Sequence, residues 1–300
     1  MDNVNGFYVS DKRKAVWNAE IALLEVFKSI CKKNNLQYFA IGGTLLGAAR
    51  HKGFIPWDDD IDLAMFRDEY EIFLGIAKTE LPEGVFLQVA DTDVDFFLGH
   101  AKLRLNHTTA IRRDQYSKKH LCHQGIFIDI FPMDNIPANK CFHRIHKFIA
   151  VTIQNAIGYA KYYCQADNQS LKAKIKYKIC TFFLHSNDIL KKMTHFWERW
   201  IKLSNQKESD MVGLISQFYE QENRFSWKKE WFKNSMIMPF ENTQVTVPCD
   251  YDKILTKCYG DYMTPERVPS EHGLVFFDLE NDYKEYLRGE RCFYKDDLIL

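Results

Sequence analysis

The sequence predicts a mixed α/β (α+β) protein, a mixed sheet core flanked by helices with a basic helical insertion, and three observations predict it. Helical periodicity and strand-like alternation take turns along the first 137 residues. Acids stand inside two apolar strand-like runs, DIDL at 60–63 and FIDIF at 127–131. Residues 140–202 then join helical spacing to twelve Lys or Arg against three acids, Asp167, Asp188 and Glu198. The 300 residues suffice to bury a sizeable core. We read 1–137 as the main part of the sheet core, 138–235 as the helical basic subdomain or insertion, and 236–300 as strands and a helix that complete the core.

Lys plus Arg equals Asp plus Glu at 40 each, so no global field favours nucleic acid, and that class of partner is not expected. The eight cysteines, Cys31, Cys122, Cys141, Cys164, Cys180, Cys249, Cys258 and Cys292, include no CxxC pair. They read as reduced thiols of a cytoplasmic protein, with neither a disulfide framework nor a zinc knuckle. Cys122 with His120 and His123 is a local cluster whose spacing fits no common ligand set. The polar start of the chain predicts no signal peptide, and no apolar run reaches the roughly eighteen residues of a membrane span.

Residues 11–34 place Trp17, Ile21, Leu24 and Cys31 at helical spacing and end in Lys32, Lys33 and Asn34, so they predict an amphipathic helix. Residues 37–41 form a short apolar strand that runs into Gly42, Gly43 and Thr44, followed by helix-like residues 45–50. Two glycines between a strand and a helix let the backbone approach a phosphate, whose charge the helix N-terminus favours. A plain tight turn is the other reading. Arg50, His51 and Lys52 follow on a loop punctuated by Gly53 and Pro56, either as cations for substrate phosphates or as a solvated basic turn.

Next come Asp58, Asp59, Asp60 and Asp62. Alternation from Asp60 to Leu63 predicts a strand with Asp60 and Asp62 on one face, and Asp58 on the same face. Paired carboxylates without a cation resist ionisation. A divalent metal relieves them, and hard oxygen donors suit magnesium or manganese. A solvated acidic turn is the alternative. Trp57 beside them is either a donor contact or an apolar anchor for the loop.

Residues 67–78 read as a helix with Tyr70, Phe73, Leu74 and Ala77 on one stripe. Residues 85–90 and 97–105 read as strands, the second carrying Lys102 and Arg104 on one face, toward phosphate or toward solvent. Residues 112–119 read as a mobile polar loop. Asp129 lies in a wholly apolar strand, where a carboxylate is costly unless paired, metal-bound or protonated. Backbone hydrogen bonds near Pro132 are the alternative. Residues 145–163, 171–184 and 189–203 predict three helices with Lys172, Lys174, Lys176 and Lys178 exposed. With Phe182, Phe183, Trp197 and Trp200 these could meet an anionic membrane or polymer phosphate, or belong to a bundle whose polar face is basic. Residues 236–247 return to strand character around Glu241-Asn242, and residues 251–259 form a short helix closed by Gly260.

Residues 42–65, Lys102-Leu103-Arg104, residues 125–132, Val247-Pro248, Tyr251-Asp252 and the run 259–263 together resemble the LicD family of phosphotransferases. That group includes bacterial phosphocholine transferases and the fukutin-related enzymes, and the resemblance runs from about residue 37 to 263. It implies the nucleotidyltransferase pattern: a glycine pair after a strand, two acids one residue apart, and a third acid on a separate strand. Gly42-Gly43, Asp60 with Asp62, and Asp129 match it. The resemblance implies Asp60 and Asp62 as ligands of Mg2+ or Mn2+, with Asp58 as a further ligand or a supporting group. Asp129 would orient and deprotonate the acceptor or share the metal. Gly42, Gly43, Thr44, Arg50, His51, Lys102 and Arg104 would bind the donor. The implied reaction moves phosphocholine from CDP-choline to a glycan or lipid-linked glycan, such as lipopolysaccharide, capsule or a teichoic acid precursor, at the inner face of the cell membrane. Transfer of a polyol phosphate such as ribitol phosphate, nucleotidyl transfer to a small acceptor, and a non-catalytic adaptor stay open.

Overall fold

The computed structural model describes residues 2–4, 7–112, 121–162, 170–265, 275–292 and 298–299. A hairpin, β1 (Asp2–Val4) with β2 (Phe7–Val9), precedes helix α1 (Asp11–Lys33). Ser10 caps α1, its hydroxyl accepting from Arg13 N at 3.1 Å. The apolar face of α1 buries Trp17, Leu23, Leu24 and Phe27.

Strand β3 (Phe39–Ala40) leads into α2 (Gly42–Arg50), and β4 (Asp62–Phe66) into α3 (Arg67–Glu80). A second hairpin, β5 (Val85–Gln88) with β6 (Ala101–Leu105), is followed by β7 (Thr109–Arg112) and by β8 (Phe127–Asn135). Every residue of β8 is buried. That is what a central strand requires, and it explains a run without alternation. β8 pairs in parallel with β4, antiparallel with β6 and, at its far end, antiparallel with β9 (Met211–Gly213). β10 (Ser226–Lys228) extends the sheet beyond β9, and β3 extends it beyond β4.

Three helices leave the sheet: α4 (Lys140–Lys161), α5 (Leu171–Phe183) and α6 (Asn187–Lys202). They gather small cores of their own, Ala150, Trp197, Ile201 and Tyr219 in one and Phe97, Ile157, Leu184 and Leu190 in another. Trp197 Nε1 donates to Ala150 O at 3.0 Å, tying α6 to α4. Trp197 is therefore interior and Trp200 half-buried, while Phe182 and Phe183 are exposed. Of these four aromatics, the two phenylalanines share the surface with the lysines and the two tryptophans do not. A one-turn helix, α7 (Ile215–Phe218), leads back to the sheet.

β11 (Ser235–Phe240) and β12 (Thr243–Pro248) form a hairpin whose turn is Glu241-Asn242, as read from the sequence. Glu241 Oε1 accepts from Phe54 N at 3.0 Å, so the turn braces the basic loop. α8 (Tyr251–Tyr259) ends at Gly260, in left-handed backbone with φ 67°. A strand not legible in the sequence, β13 (Val275–Asp278), pairs with β7 and with β14 (Leu298–Ile299), and α9 (Tyr283–Leu287) packs beside it.

Two boundaries move in ways that matter for the site. α2 begins at Gly42 itself, so both glycines lie in its first turn. β4 begins only at Asp62, so Asp58, Asp59 and Asp60 belong to an irregular approach and not to a strand face. Arg112 closes β7, while residues 113–120, the rest of the expected mobile loop and His120, lie outside the described residues.

Candidate active site

Three backbone devices build the site. Gly42 adopts φ 56°, which turns the chain sharply from β3 into α2. Ile41 N donates to Asp62 O at 3.1 Å, and Asp62 N donates to Thr44 Oγ1 at 2.7 Å, so α2 and β4 are stitched at the acid itself. α2 has no side-chain cap, and its first turn lies against the carboxylates. A Cβ on Gly42 would come within 2.6 Å of Asp62 Oδ2, and one on Gly43 would overlap Asp58 Oδ2. Glycine is therefore demanded at Gly42, by its positive φ and by close approach, while at Gly43 a Cβ would displace the Asp58 carboxylate.

The acidic approach is held from behind by α1. Arg13 Nη1 donates to Asp58 O at 3.2 Å and Pro56 O at 3.5 Å, and Trp17 Nε1 donates to Asp58 O at 3.1 Å. From the other side, the parallel β4–β8 register sets Asp62 opposite Asp129, and Asp129 N donates to Ile61 O at 2.8 Å. Carboxylate oxygens of Asp60, Asp62 and Asp129 consequently lie within 4.8 Å of one another. Asp58, Asp59 and Asp60 form a second such group, with Asp60 common to both. Asp58 thus adjoins the convergent trio through Asp60, from the loop.

The acids differ in charge balance. Burial, then the carboxylates of Asp60, Asp129 and Asp58, push the pKa of Asp62 well above the ordinary carboxylate range. On Asp129 burial acts the same way but is outweighed by Lys102 and His100, which hold it below that range. Lys102 Nζ is 2.5 Å from Asp129 Oδ1, and His100 Nε2 is 3.4 Å from the same oxygen. The carboxylate oxygens of Asp60, Asp62 and Asp129 are hard donors, and at this spacing they fit a divalent cation of the magnesium class.

The family model described as LicD/FKTN/FKRP, nucleotidyltransferase domain, matches residues 35–168, the stretch that contains α2, all the acids and β8. The lipopolysaccharide cholinephosphotransferase LicD of Haemophilus influenzae is 30% identical over 256 residues, which span 83% of this chain and 91% of that protein. The chain belongs to the LicD family. An uncharacterised protein of Rickettsia prowazekii is 34% identical over 102 residues, 31% of this chain and 38% of that one.

In this LicD chain the expected donor-binding cations fall into separate places. Arg50 Nη1 donates to Tyr262 O at 2.6 Å, which draws the end of the family's C-terminal motif onto the basic loop. His51 is not a cation: burial, with Arg50 beside it, lowers its pKa to about 4. Lys102 is spent on Asp129. Arg104 is buried, with Nε donating to Gln88 Oε1 at 2.5 Å and Nη1 to the Gly125 carbonyl at 2.6 Å. Both Lys102 and Arg104 lie over the Phe127 ring, at 3.8 and 4.7 Å from its centroid. Neither fits the solvent-facing reading of that strand. Trp57 is half-buried and edge-on to Phe7, the contact of a loop anchor.

Three further residues stand beside the candidate site, of which only Tyr259 falls in a run that carries the family resemblance. Glu20 is buried on α1, and burial followed by Asp60, Asp59 and Asp58 raises its pKa well above the carboxylate range. Its signal was present, because Glu20 falls three residues after Trp17 and four before Leu24 on the apolar stripe. His100 falls in the stretch 97–105 read as a strand, two residues before Lys102, but β6 begins only at Ala101, and His100 ends the twelve-residue connection that leads into it. Its Nδ1 meets Gln217 Oε1 at 3.2 Å, and Gln217 lines a cavity of about 250 Å3 together with Gln154, Asn155, Trp197 and Phe218. Tyr259 sits within the electrostatic reach of Asp62 and Asp58 and under the Arg224 guanidinium, 5.2 Å from its ring centroid.

Proposed function

We propose that the chain is a metal-dependent phosphotransferase that moves phosphocholine from CDP-choline to a hydroxyl of a cell-surface glycan. The observation that carries this is the convergence of Asp60, Asp62 and Asp129 beside the uncapped first turn of α2. The name of the Haemophilus influenzae relative, lipopolysaccharide cholinephosphotransferase, supports the cargo and the glycan acceptor.

In the proposed reaction the acceptor hydroxyl oxygen bonds to the phosphorus that bears choline. The bond from that phosphorus to the bridging oxygen breaks, CMP leaves with the electron pair, and the hydroxyl proton is released. Magnesium or manganese held by Asp60 and Asp62, with Asp58 or Asp129 adjoining, would supply neutralisation of the charge that grows on the departing CMP. Gly42, Gly43 and Thr44 present the α2 N-terminus to the diphosphate. Asp129, paired with Lys102 and His100, is a weak base, so its part is to hold and orient and not to take the proton. The amide- and aromatic-lined cavity beyond His100 suits a sugar of the acceptor. A lipid-linked acceptor would bring the chain to the cytoplasmic face of the membrane.

The test is to incubate the protein with CDP-choline, CDP-ribitol or nucleoside triphosphates and a glycan acceptor, with magnesium, and to identify the released product. CMP from CDP-choline supports the proposal. CMP from CDP-ribitol alone changes the cargo, and pyrophosphate from a triphosphate replaces the reaction by nucleotidyl transfer.

A further inference from the structure

Helix α5 turns its apolar side away from the protein. Leu171, Ile175, Ile179 and Phe182 recur at spacings of four and three and form one stripe of an α-helix. With Phe183 they stand 49% to 74% exposed. The half-buried residues of α5 are Ala173, Tyr177, Cys180 and Thr181, which fall on the opposite side. A helix serving only a globular core shows the reverse arrangement. At 100° per residue, Lys172 and Lys176 border one edge of the stripe and Lys174 and Lys178 the other. All four are exposed, and no Asp or Glu occurs between Asp167 and Asp188. α4, packed against α5, adds exposed Ile145 and Phe148 and contains no acid.

We infer that α5 is a membrane-docking helix that lies in the plane of an anionic bilayer, with its apolar stripe at the acyl boundary and the lysines at the headgroups. Charge decides the occupant. Lysines on both edges of an apolar stripe can lay their methylene stems along the acyl region and lift their ammonium groups to anionic phosphates. A second copy of this chain would set each lysine border against another, and like charges would oppose the contact. Among the described residues no helix is long and apolar enough to cross a membrane, so this docking is peripheral. The inference rests on the surface of α5 and not on the transfer reaction.

The experiment is co-sedimentation of the full chain with phosphatidylcholine vesicles, with and without phosphatidylglycerol, in the absence of donor and acceptor. We expect sedimentation with the anionic vesicles only, weakened by salt. Combined Lys172→Gln, Lys174→Gln, Lys176→Gln and Lys178→Gln should lose affinity by roughly fivefold per lysine. Phe182→Ser with Ile179→Ser should lose at least as much with the lysines intact. These residues are exposed, so the variants should keep the wild-type melting curve. Equal partition of wild type and both variants would overturn the inference. So would light scattering that shows a dimer which Ile179→Ser dissociates. Loss of vesicle binding leaves CMP release in detergent-solubilised acceptor unchanged, which separates failure here from failure of the proposed activity.

Discussion

Asp62 and Asp129 face each other across one rung of the parallel β4–β8 ladder, and their surroundings drive their pKa values in opposite directions. Asp62 is half-buried and crowded by like charges, and Asp129 is buried and neutralised by Lys102 and His100. A carboxyl whose folded pKa is raised gives stability below the ordinary carboxylate range and loses it as pH rises through the folded value. Asp62→Asn should therefore abolish transfer and yet raise the melting temperature of the EDTA-treated protein by a few degrees at neutral pH. The gain should vanish in acid and shrink when magnesium is added to both proteins. Calorimetry across pH, with and without magnesium, measures it, and a lower melting temperature for the variant at neutral pH would contradict the crowding.

Lys102 and Asp129 form an ion pair inside the site, at 2.5 Å with both side chains buried. Asp129 has the opposite sign to Asp62: its contribution is present above the ordinary carboxylate range and is lost as pH falls through its depressed value. Asp129→Asn leaves a buried ammonium without its counter-charge, which costs about 3–5 kcal/mol. Adding Lys102→Met removes the stranded charge and should recover most of that loss in urea titrations, whereas transfer stays absent in both. Equal destabilisation by the single and double variants would mean that the pair is not coupled.

Much of this site was legible because its chemistry violates local rules. Acids in DIDL and FIDIF are anomalous where strands are buried, and a glycine pair where a strand gives way to a helix marks a sharp turn and a close approach. The helix and strand runs were legible by periodicity, as in α1, α4 and the β11–β12 hairpin. What was not legible arises from tertiary placement. Arg104 and Lys102 look alike on one strand face, and only the position of Gln88, Gly125 and Asp129 gives them different work. The same is true of His51, whose burial removes its charge, and of Trp197, which a basic helix draws inward through Ala150. The outward stripe of α5 has an ordinary amphipathic pattern, and the sequence cannot say which side faces the protein.

Gly43→Ala tests the close approach of α2 to the acids. Its Cβ would overlap Asp58 Oδ2, the far end of a side chain that can swing aside. The fold should hold, since alanine suits a helix better than glycine. Transfer should fall by one to two orders of magnitude, about 1.4–2.8 kcal/mol in the barrier, because Asp58 leaves its place and the N-terminal turn is narrowed. Steady-state rates alongside the melting curve measure both effects. Unchanged turnover would remove Asp58 and the glycine cradle from the reaction.

Arg67 and Asp134 show that a second acid of β8 has a different task. Arg67 opens α3 directly after β4, and its Nε and Nη2 donate to Asp134 Oδ1 and Oδ2 at 2.7 and 2.6 Å. Asn205 Nδ2 adds a bond to Oδ1 at 2.6 Å. The pair is buried and bidentate, and it fastens the outgoing end of β4 to the outgoing end of β8. It thereby fixes the register that brings Asp62 opposite Asp129 at the other end. Arg67→Met strands a fully buried carboxylate and should cost about 3–5 kcal/mol in urea unfolding. Arg67→Lys should restore only part, since an ammonium cannot make the two parallel bonds of the guanidinium fork. Held well below its lowered melting temperature, the Arg67→Met protein should keep a near-normal KM for the donor, because no atom of the pair touches the acids. A large rise in KM with an intact fold would instead place Arg67 in donor binding.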